Sequence, residues 1–420
     1  WTTTMVNSKY FKRLVGKELR KAGADVADHV MITGIQTTKD KSRVAGATGF
    51  DIRTGEFIIF RAKTVVICLS TSNERFSNSS TTNPFNTWLY PFNTGSGPIM
   101  TYDAGAKVTT LEKASATILP MGFGAPGMAA FTGMGAYMVN SKGERYMLKY
   151  DKRGEGAPRH IFLMATYTEI AEGRGPVFID ARHLPEKEMK HMVEERLYVD
   201  GDAYPDYFKQ RGVDLKNGLL EIEVGEMNGG GCLLVNDRFE SVNIKGLYGY
   251  SPSVLSHAMC GGYSSAFEAA NDALRNDRMP EVDISAVSRE KDRVYAPLKS
   301  KGDYTWREYE DTIRQIMNYY MGHVRNQQGM ELALKKLQKL EKRAGEIRAG
   351  NYHELLRANE AMHMVRYCQL MVRSALERKE SGRGCYRRTD YPDLDPSLSD
   401  KEIVQWQEND EPKIASVTMK

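Results

Sequence analysis

Residues Thr64-Val65-Val66-Ile67-Cys68-Leu69 are apolar at every position after the threonine. A strand with one face in water alternates apolar and polar residues. An unbroken apolar run suits a strand buried on both faces, as in a parallel sheet covered by helices. This short run is the frame against which the other segments are read. Upstream, residues 9–23 read as a helix, with Phe11, Leu14, Val15, Leu19 and Ala22 on one face and Gly23 as a stop. Residues 29–38, 43–53 and 56–61 read as three strands, the last two joined by the turn Arg53-Thr54-Gly55-Glu56.

Downstream, residues 71–98 are rich in Ser, Thr, Asn and Gly and read as a long loop, followed by a short helix over 98–105. Gly, Met and Ala crowd 120–135, and a mixed segment runs from 137 to about 223. Gly229-Gly230-Gly231 closes it, before strands near 232–236 and 247–250 and a helix over 264–275. From about Val282 the character changes. Residues 306–323, 330–348 and 352–378 carry apolar residues at three- and four-residue spacing, the pattern of a helical bundle. The tail after Pro392 is polar and reads as extended.

At 420 residues the chain has room for two to four domains of about 100–200 residues each. Lys and Arg number 58 and Asp and Glu 54, with no long basic run, so nucleic acid is not the expected partner. No apolar run approaches the roughly 20 residues of a membrane helix, so the chain is not expected to be transmembrane itself. The five cysteines show no C-x-x-C spacing. That argues against a disulfide framework or a zinc or iron–sulfur site made by this chain, and for a reducing, cytoplasmic compartment.

Gly122-Phe123-Gly124-Ala125-Pro126-Gly127 satisfies G-x-G-x-x-G by letter. A dinucleotide fingerprint needs a helix straight after it, yet Pro126 lies in the turn and glycines break 127–135, so the stretch reads as a loop. Thr94-Gly95-Ser96-Gly97 opens a short helix and reads either as an anion-binding start or as an ordinary turn. Arg159-His160 pairs a permanent cation with a group that exchanges protons near neutrality, but such a pair is also common on solvated surfaces. His257 falls in a stretch read as a loop between a strand and a helix, where α/β proteins bind ligands; a backbone-satisfied histidine is the competing reading. Met362, Val365, Cys368, Val372 and Leu376 read as a core stripe rather than a soft-metal or redox site.

Several segments, taken in order, resemble the flavoprotein family of succinate dehydrogenase, fumarate reductase and L-aspartate oxidase, with the alpha subunit of adenylylsulfate reductase the nearest in kind. Residues 62–67 resemble the strand before a flavin-contacting turn. Trp88, Thr94–Gly97, Met100, Ala104-Gly105-Ala106, Thr110 and Glu112 resemble the segment beside the isoalloxazine. Residues 140–147 are similar to a hairpin of the family's capping domain, and Arg159 falls where the family places a substrate-facing arginine. Residues 242–248 resemble the strand leading back to the flavin, and Arg387-Arg388-Thr389-Asp390-Tyr391-Pro392 the closing signature. The sequence departs at Cys68-Leu69-Ser70-Thr71, at Gly249-Tyr250-Ser251-Pro252, where the expected acid is absent, and at Leu119-Pro120-Met121. The second arginine and the histidine that hold a dicarboxylate have no clear match, which argues against succinate or fumarate as substrate.

The resemblance implies a glutathione-reductase-like, Rossmann-type FAD-binding domain in two parts, 1–120 and 228–281. The initial βαβ with its glycine fingerprint is not present, so this domain is expected to be truncated at its N-terminus. It also implies an inserted α+β capping domain over 121–227, a helical domain over 282–378 and a tail over 379–420. FAD is the implied cofactor, with Ser70, Thr71, Thr94, Gly95, Ser96, Gly97, Glu112, Tyr250 and Ser251 implied to bind it. Arg159, His160 and His257 are the implied catalytic residues. The implied activity is electron transfer between a small, anionic substrate and a separate iron–sulfur subunit, of the kind used in anaerobic metabolism. A flavoprotein-like scaffold subunit without catalysis is the alternative.

Overall fold

Side-chain patterning places each element of the computed structural model, which describes residues 8–69, 92–113, 116–124, 128–197, 203–225, 229–249, 255–382, 384, 386–408 and 411–418. The chain divides into two units, one of residues 1–28, 79–89 and 116–227, the other of 29–78, 90–115 and 228–420.

In the first unit, four short strands form an antiparallel sheet in the order Ile118–Pro120, Leu220–Val224, Val177–Asp180, Tyr137–Val139. Ile118, Leu119, Met138, Ile179 and Ile222 are buried, and so are Leu163 and Tyr146. The helix Arg159–Glu169 is fastened at its C-terminal end. Buried Glu169 accepts from Arg174, Asn140 and Tyr150 at 2.7–2.9 Å. Burial works against its charge, but these donors prevail and hold the carboxyl down at about 2. Met121-Gly122 is a turn closed by the Phe123 N–H donating to the Pro120 carbonyl, and Phe123 stacks on Tyr207 at 4.2 Å between ring centroids.

The second unit begins with an antiparallel meander, Val30–Thr37, Val44–Asp51 and Phe57–Arg61. The turn at its second hairpin uses Gly55 at φ 75°, where a side chain would be strained. Val65–Ile67 then pairs in parallel with Leu247–Gly249, in register Val65↔Leu247 to Ile67↔Gly249. The strand is half-buried rather than buried on both faces, because Leu247–Gly249 is its only strand partner among the described residues. The helix Leu255–Arg275 follows that partner and begins nine residues before the predicted start at Ser264. His257 is therefore helical, not in a loop, and the helix runs through Gly261 and Gly262 although each costs about 1 kcal/mol relative to alanine.

Four helices complete this unit: Ile284–Lys299, Trp306–Tyr320, Gln327–Glu341 and Tyr352–Glu377. The last three match the predicted periodic segments. The first was missed, although Asp283 caps it by accepting from the backbone N–H groups of Ser285 and Ala286. Thr305 and Glu308 form a capping box at the start of the second. The core stripe is as predicted, with Val365, Cys368 and Val372 buried and Met362 and Leu376 packed against them.

The tail is not extended chain alone. Lys401–Glu408 and Glu411–Thr418 form a hairpin that joins Val108–Thr109 and Cys232–Leu233 in a four-stranded sheet. Ile403, Val404 and Gln405 are buried. The Gln405 amide donates to the Leu370 carbonyl and the Ser374 hydroxyl, both at 2.7 Å. Polar composition concealed the strand because only a few of its residues face the core. Ile403→Ala should therefore cost about 2–5 kcal/mol in chemical denaturation. A change within about 0.5 kcal/mol, as on a solvated tail, would contradict the packed hairpin.

Candidate functional site

The parallel strands Val65–Ile67 and Leu247–Gly249 point their C-terminal ends the same way, and open α/β sheets bind ligands at that edge. Residues of two further segments converge there. Ile67, Leu69, Gly97, Thr101, Gly231 and Gly249 line a small cavity of about 20 Å³. The helix Ser96–Asp103 starts at this cavity, and no side chain caps it. Its first N–H groups have no intrahelical partner, and Pro98 has none to offer. Such a start is suited to an anion or a carbonyl.

The turn before the helix is fixed by sterics. Gly95 has φ 75° and ψ 14°, and a Cβ there would lie 2.4 Å from Cγ of Tyr367. A Cβ on Gly249 would lie 3.2 Å from the Ile67 carbonyl oxygen, and one on Gly97 3.1 Å from Leu69 Cβ. Glycine at these positions lets the neighbouring segments pack directly against bare backbone at the edge of the sheet. Two side chains one turn apart on Tyr352–Glu377 hold the turn. The Tyr367 hydroxyl donates to the Gly230 carbonyl at 2.6 Å, and His363 Nδ1 lies 3.0 Å from Ser96 Oγ. Neither was singled out in the sequence. Their spacing of four is the only signal, and it is the same as that of the core stripe around them.

The implied cofactor-binding residues divide into three sets. Thr94, Gly95, Ser96 and Gly97 form the turn just described, with Thr94 buried. Ser70, Thr71, Tyr250 and Ser251 lie outside the described residues. Glu112 is fully buried, and its Oε1 accepts from Arg378 Nε at 2.7 Å while Arg378 Nη1 donates to Glu380 at 2.9 Å. Burial pushes the Glu112 carboxyl up against the pull of Arg378.

The implied catalytic residues Arg159 and His160 belong to the first unit. Arg159 opens the helix Arg159–Glu169 and is exposed. Its Nε and Nη2 donate to the Ala116 carbonyl at 2.9 and 2.6 Å, and its Nη1 bonds none of the described residues. His160 follows, half-buried. His257 belongs to the second unit, in the first turn of Leu255–Arg275. Among the described residues no group of three His, Cys, Asp or Glu could hold a metal ion. Among them, too, no helix is long and apolar enough to cross a membrane.

Residues 4–217 match the family model described as FAD binding domain, and residues 310–419 match fumarate reductase flavoprotein C-term. The chain is 27% identical over 379 residues to an uncharacterized FAD-dependent oxidoreductase of Methanocaldococcus jannaschii, across 86% of this chain and 67% of that one. It is 26% identical over 408 residues to a fumarate reductase (CoM/CoB) subunit of Methanothermobacter marburgensis, across 90% of this chain and 70% of that one. Adenylylsulfate reductase from Archaeoglobus fulgidus shares the fold, with a TM-score of 0.80 and 23% identity over 93% of this chain and 72% of that one.

Arg378→Met leaves Glu112 buried without its cation and should cost about 3–5 kcal/mol near neutral pH. The sign of its pH dependence follows from proton counting. In the variant, folded Glu112 keeps its proton to a higher pH than unfolded Glu112. The native state then binds more protons than the unfolded one, and stability falls as pH rises above the ordinary carboxylate range. Denaturation midpoints at about pH 5 and 8 should show the larger deficit at the higher pH. An equal deficit at both would mean that Glu112 finds another partner.

Proposed function

Because the chain belongs to the FAD-binding domain family and its C-terminal part matches the fumarate reductase flavoprotein, we propose that it is an FAD-dependent oxidoreductase that moves electrons between a small anionic substrate and an iron–sulfur partner subunit. The observation that carries the substrate reading is Arg159. It is an exposed guanidinium on a helix fastened at its far end by Glu169, and its Nη1 is not used by the described residues. Guanidinium stays charged at any working pH and grips a carboxylate or sulfur oxyanion with a planar fork.

Backbone rather than side chains at Gly97, Gly231 and Gly249 borders this edge, which we read as facing the flavin, and the start of Ser96–Asp103 would offer N–H groups to its polar rim. Thr94–Gly97 would hold the cofactor, with Ser70, Thr71, Tyr250, Ser251 and Glu112 assigned to it by resemblance. When bound, FAD supplies the two-electron redox chemistry. The chain's own residues do the rest. Arg159 binds and orients the anion and stabilises charge that develops on it, which counts most where water is excluded. His160 and His257 are the groups proposed to hold or deliver a proton.

Residues 121–227 are assigned as the capping domain, a reading supported by the long stretch of the first unit that starts at Ala116 and ends at Met227. The partner reading is supported by the naming of one relative as a subunit. With no cluster-forming cysteine motif in this chain, the iron–sulfur centre is assigned to another. The cysteine pattern also supports a reducing, cytoplasmic setting.

Two measurements test this reading. The purified full-length protein should be yellow, with flavin absorption bands; a colourless full-length protein would favour the non-catalytic scaffold. Arg159→Lys keeps the charge and loses the fork. It should lower turnover about 10²–10³-fold, the typical loss for one transition-state donor, with flavin content and melting temperature unchanged. Wild-type turnover in that variant would remove Arg159 from the site.

A further inference from the structure

Thr94, Ser96 and His363 form a short chain of polar atoms inside the second unit. The Oγ atoms of Thr94 and Ser96 are 3.0 Å apart, and Ser96 Oγ is 3.0 Å from His363 Nδ1. Thr94 and His363 are both 2% exposed. A serine hydroxyl has one proton, so Ser96 donates to His363 or to Thr94 but not to both. Whichever ring nitrogen carries the imidazole proton, His363 decides which way the Ser96 hydroxyl points.

From this geometry we propose that His363 is a positioning residue. Acting through Ser96, it fixes the direction of the hydroxyl pair at the turn Thr94–Gly97 and so sets affinity and reduction potential of the flavin held there. The inference rests on the reading of that turn as flavin-binding. His363 is fitted to the task by its surroundings. Burial, with Arg293 of Ile284–Lys299 and Arg366 of its own helix nearby, holds the imidazole well below its ordinary range, so the ring stays neutral. Arg366 is in turn paired with Asp103 and Glu341, and Arg293 with Glu290. A neutral ring keeps one bare and one protonated nitrogen, and hence a fixed hydrogen-bond direction, across the physiological pH range. The same helix clamps the turn from below through Tyr367 against Gly95, so the hydroxyl pair sits on a backbone that does not move to compensate.

The experiment compares His363→Leu, His363→Asn and Ser96→Ala as purified proteins loaded with FAD. Asparagine places a polar side-chain atom where Nδ1 stands in histidine, and leucine does not. His363→Leu and Ser96→Ala should each weaken FAD retention about tenfold, the worth of one buried hydrogen bond. They should also shift the flavin absorption spectrum and change the potential, by about 30 mV where oxidised and reduced affinities diverge tenfold. The double variant should be no worse than either single one, since both remove the same contact. His363→Asn should restore retention, spectrum and potential. A residue that only fills the core would instead lower the melting temperature and leave spectrum and potential alone. If His363→Leu does not fold, Ser96→Ala and His363→Asn carry the comparison. Wild-type affinity, spectrum and potential in Ser96→Ala overturns the inference. A wild-type protein that takes up no FAD overturns the flavin reading itself, and the inference with it.

Discussion

The contact between the Tyr367 ring and the bare backbone of Gly95 governs the second unit. Gly95 occupies the left-handed region, and its missing side chain leaves room for the ring. The ring brings with it the helix Tyr352–Glu377, whose residues are buried on almost every side. A helix apolar on one stripe only would have an exposed face, but this one is surrounded. Ile99 and Tyr102 of Ser96–Asp103 enter the same core as Tyr309, Leu337 and Met364 of the bundle. The turn Thr94–Gly97 is thus followed by a helix that forms one wall of the bundle core, and its precision comes from packing.

The closing segment 387–392 serves the same helix. Arg388, fully buried, donates from Nη1 to the carbonyls of Ala375, Leu376 and Arg378 at 3.0–3.3 Å and pairs with Asp390. Those carbonyls sit at the C-terminal end of Tyr352–Glu377, where a helix has no acceptors satisfied internally and carries partial negative charge. A guanidinium there caps the helix and is neutralised in turn. Arg325 lies beside it, stacked 3.6 Å over the Tyr386 ring, and its burial draws its pKa down to about 10. Nε and Nη2 of Arg325, the Tyr386 hydroxyl and Glu112 Oε2 have no hydrogen-bond partner among the described residues. Charges this deep cost desolvation that pairing only partly offsets. Their mutual geometry therefore fixes where the segment can lie more than it adds to stability.

Much of this was legible in the sequence, and the exceptions share a cause. The three long helices could be read because apolar spacing over four or more turns outweighs local noise. The meander could be read because its turn residues and β-branched runs agree. The terminal hairpin was not, since burial there falls on Ile403, Val404 and Gln405 while their neighbours stay polar. The start of helix Leu255–Arg275 was not legible either, since Gly261 and Gly262 read as stops, yet tertiary context overrides a penalty of about 1 kcal/mol each. At the site, Thr94–Gly97 was visible as a glycine-rich helix start. Its partners His363 and Tyr367 come from more than 260 positions later and carry no local mark distinguishing them from core.

Two glycine-rich stretches show why letters and geometry part. Gly122–Gly127 meets the spacing of a dinucleotide fingerprint, yet no parallel strand precedes it: Ile118–Pro120 is antiparallel to Leu220–Val224. Thr94–Gly97 meets no fingerprint, yet it opens a helix beside the ends of two parallel strands. What a phosphate, carbonyl or flavin ring senses is bare backbone with N–H groups aimed outward. Glycine makes that backbone available, but only a strand edge on one side and a packed helix on the other hold it in place. Tyr367 and the parallel strand pair provide both at Gly95 and Gly97. At 122–124 the chain instead leaves an antiparallel strand, with Phe123 packed on Tyr207, whereas at Thr94–Gly97 the left-handed Gly95 and the Tyr367 ring against it fix the backbone that opens the helix.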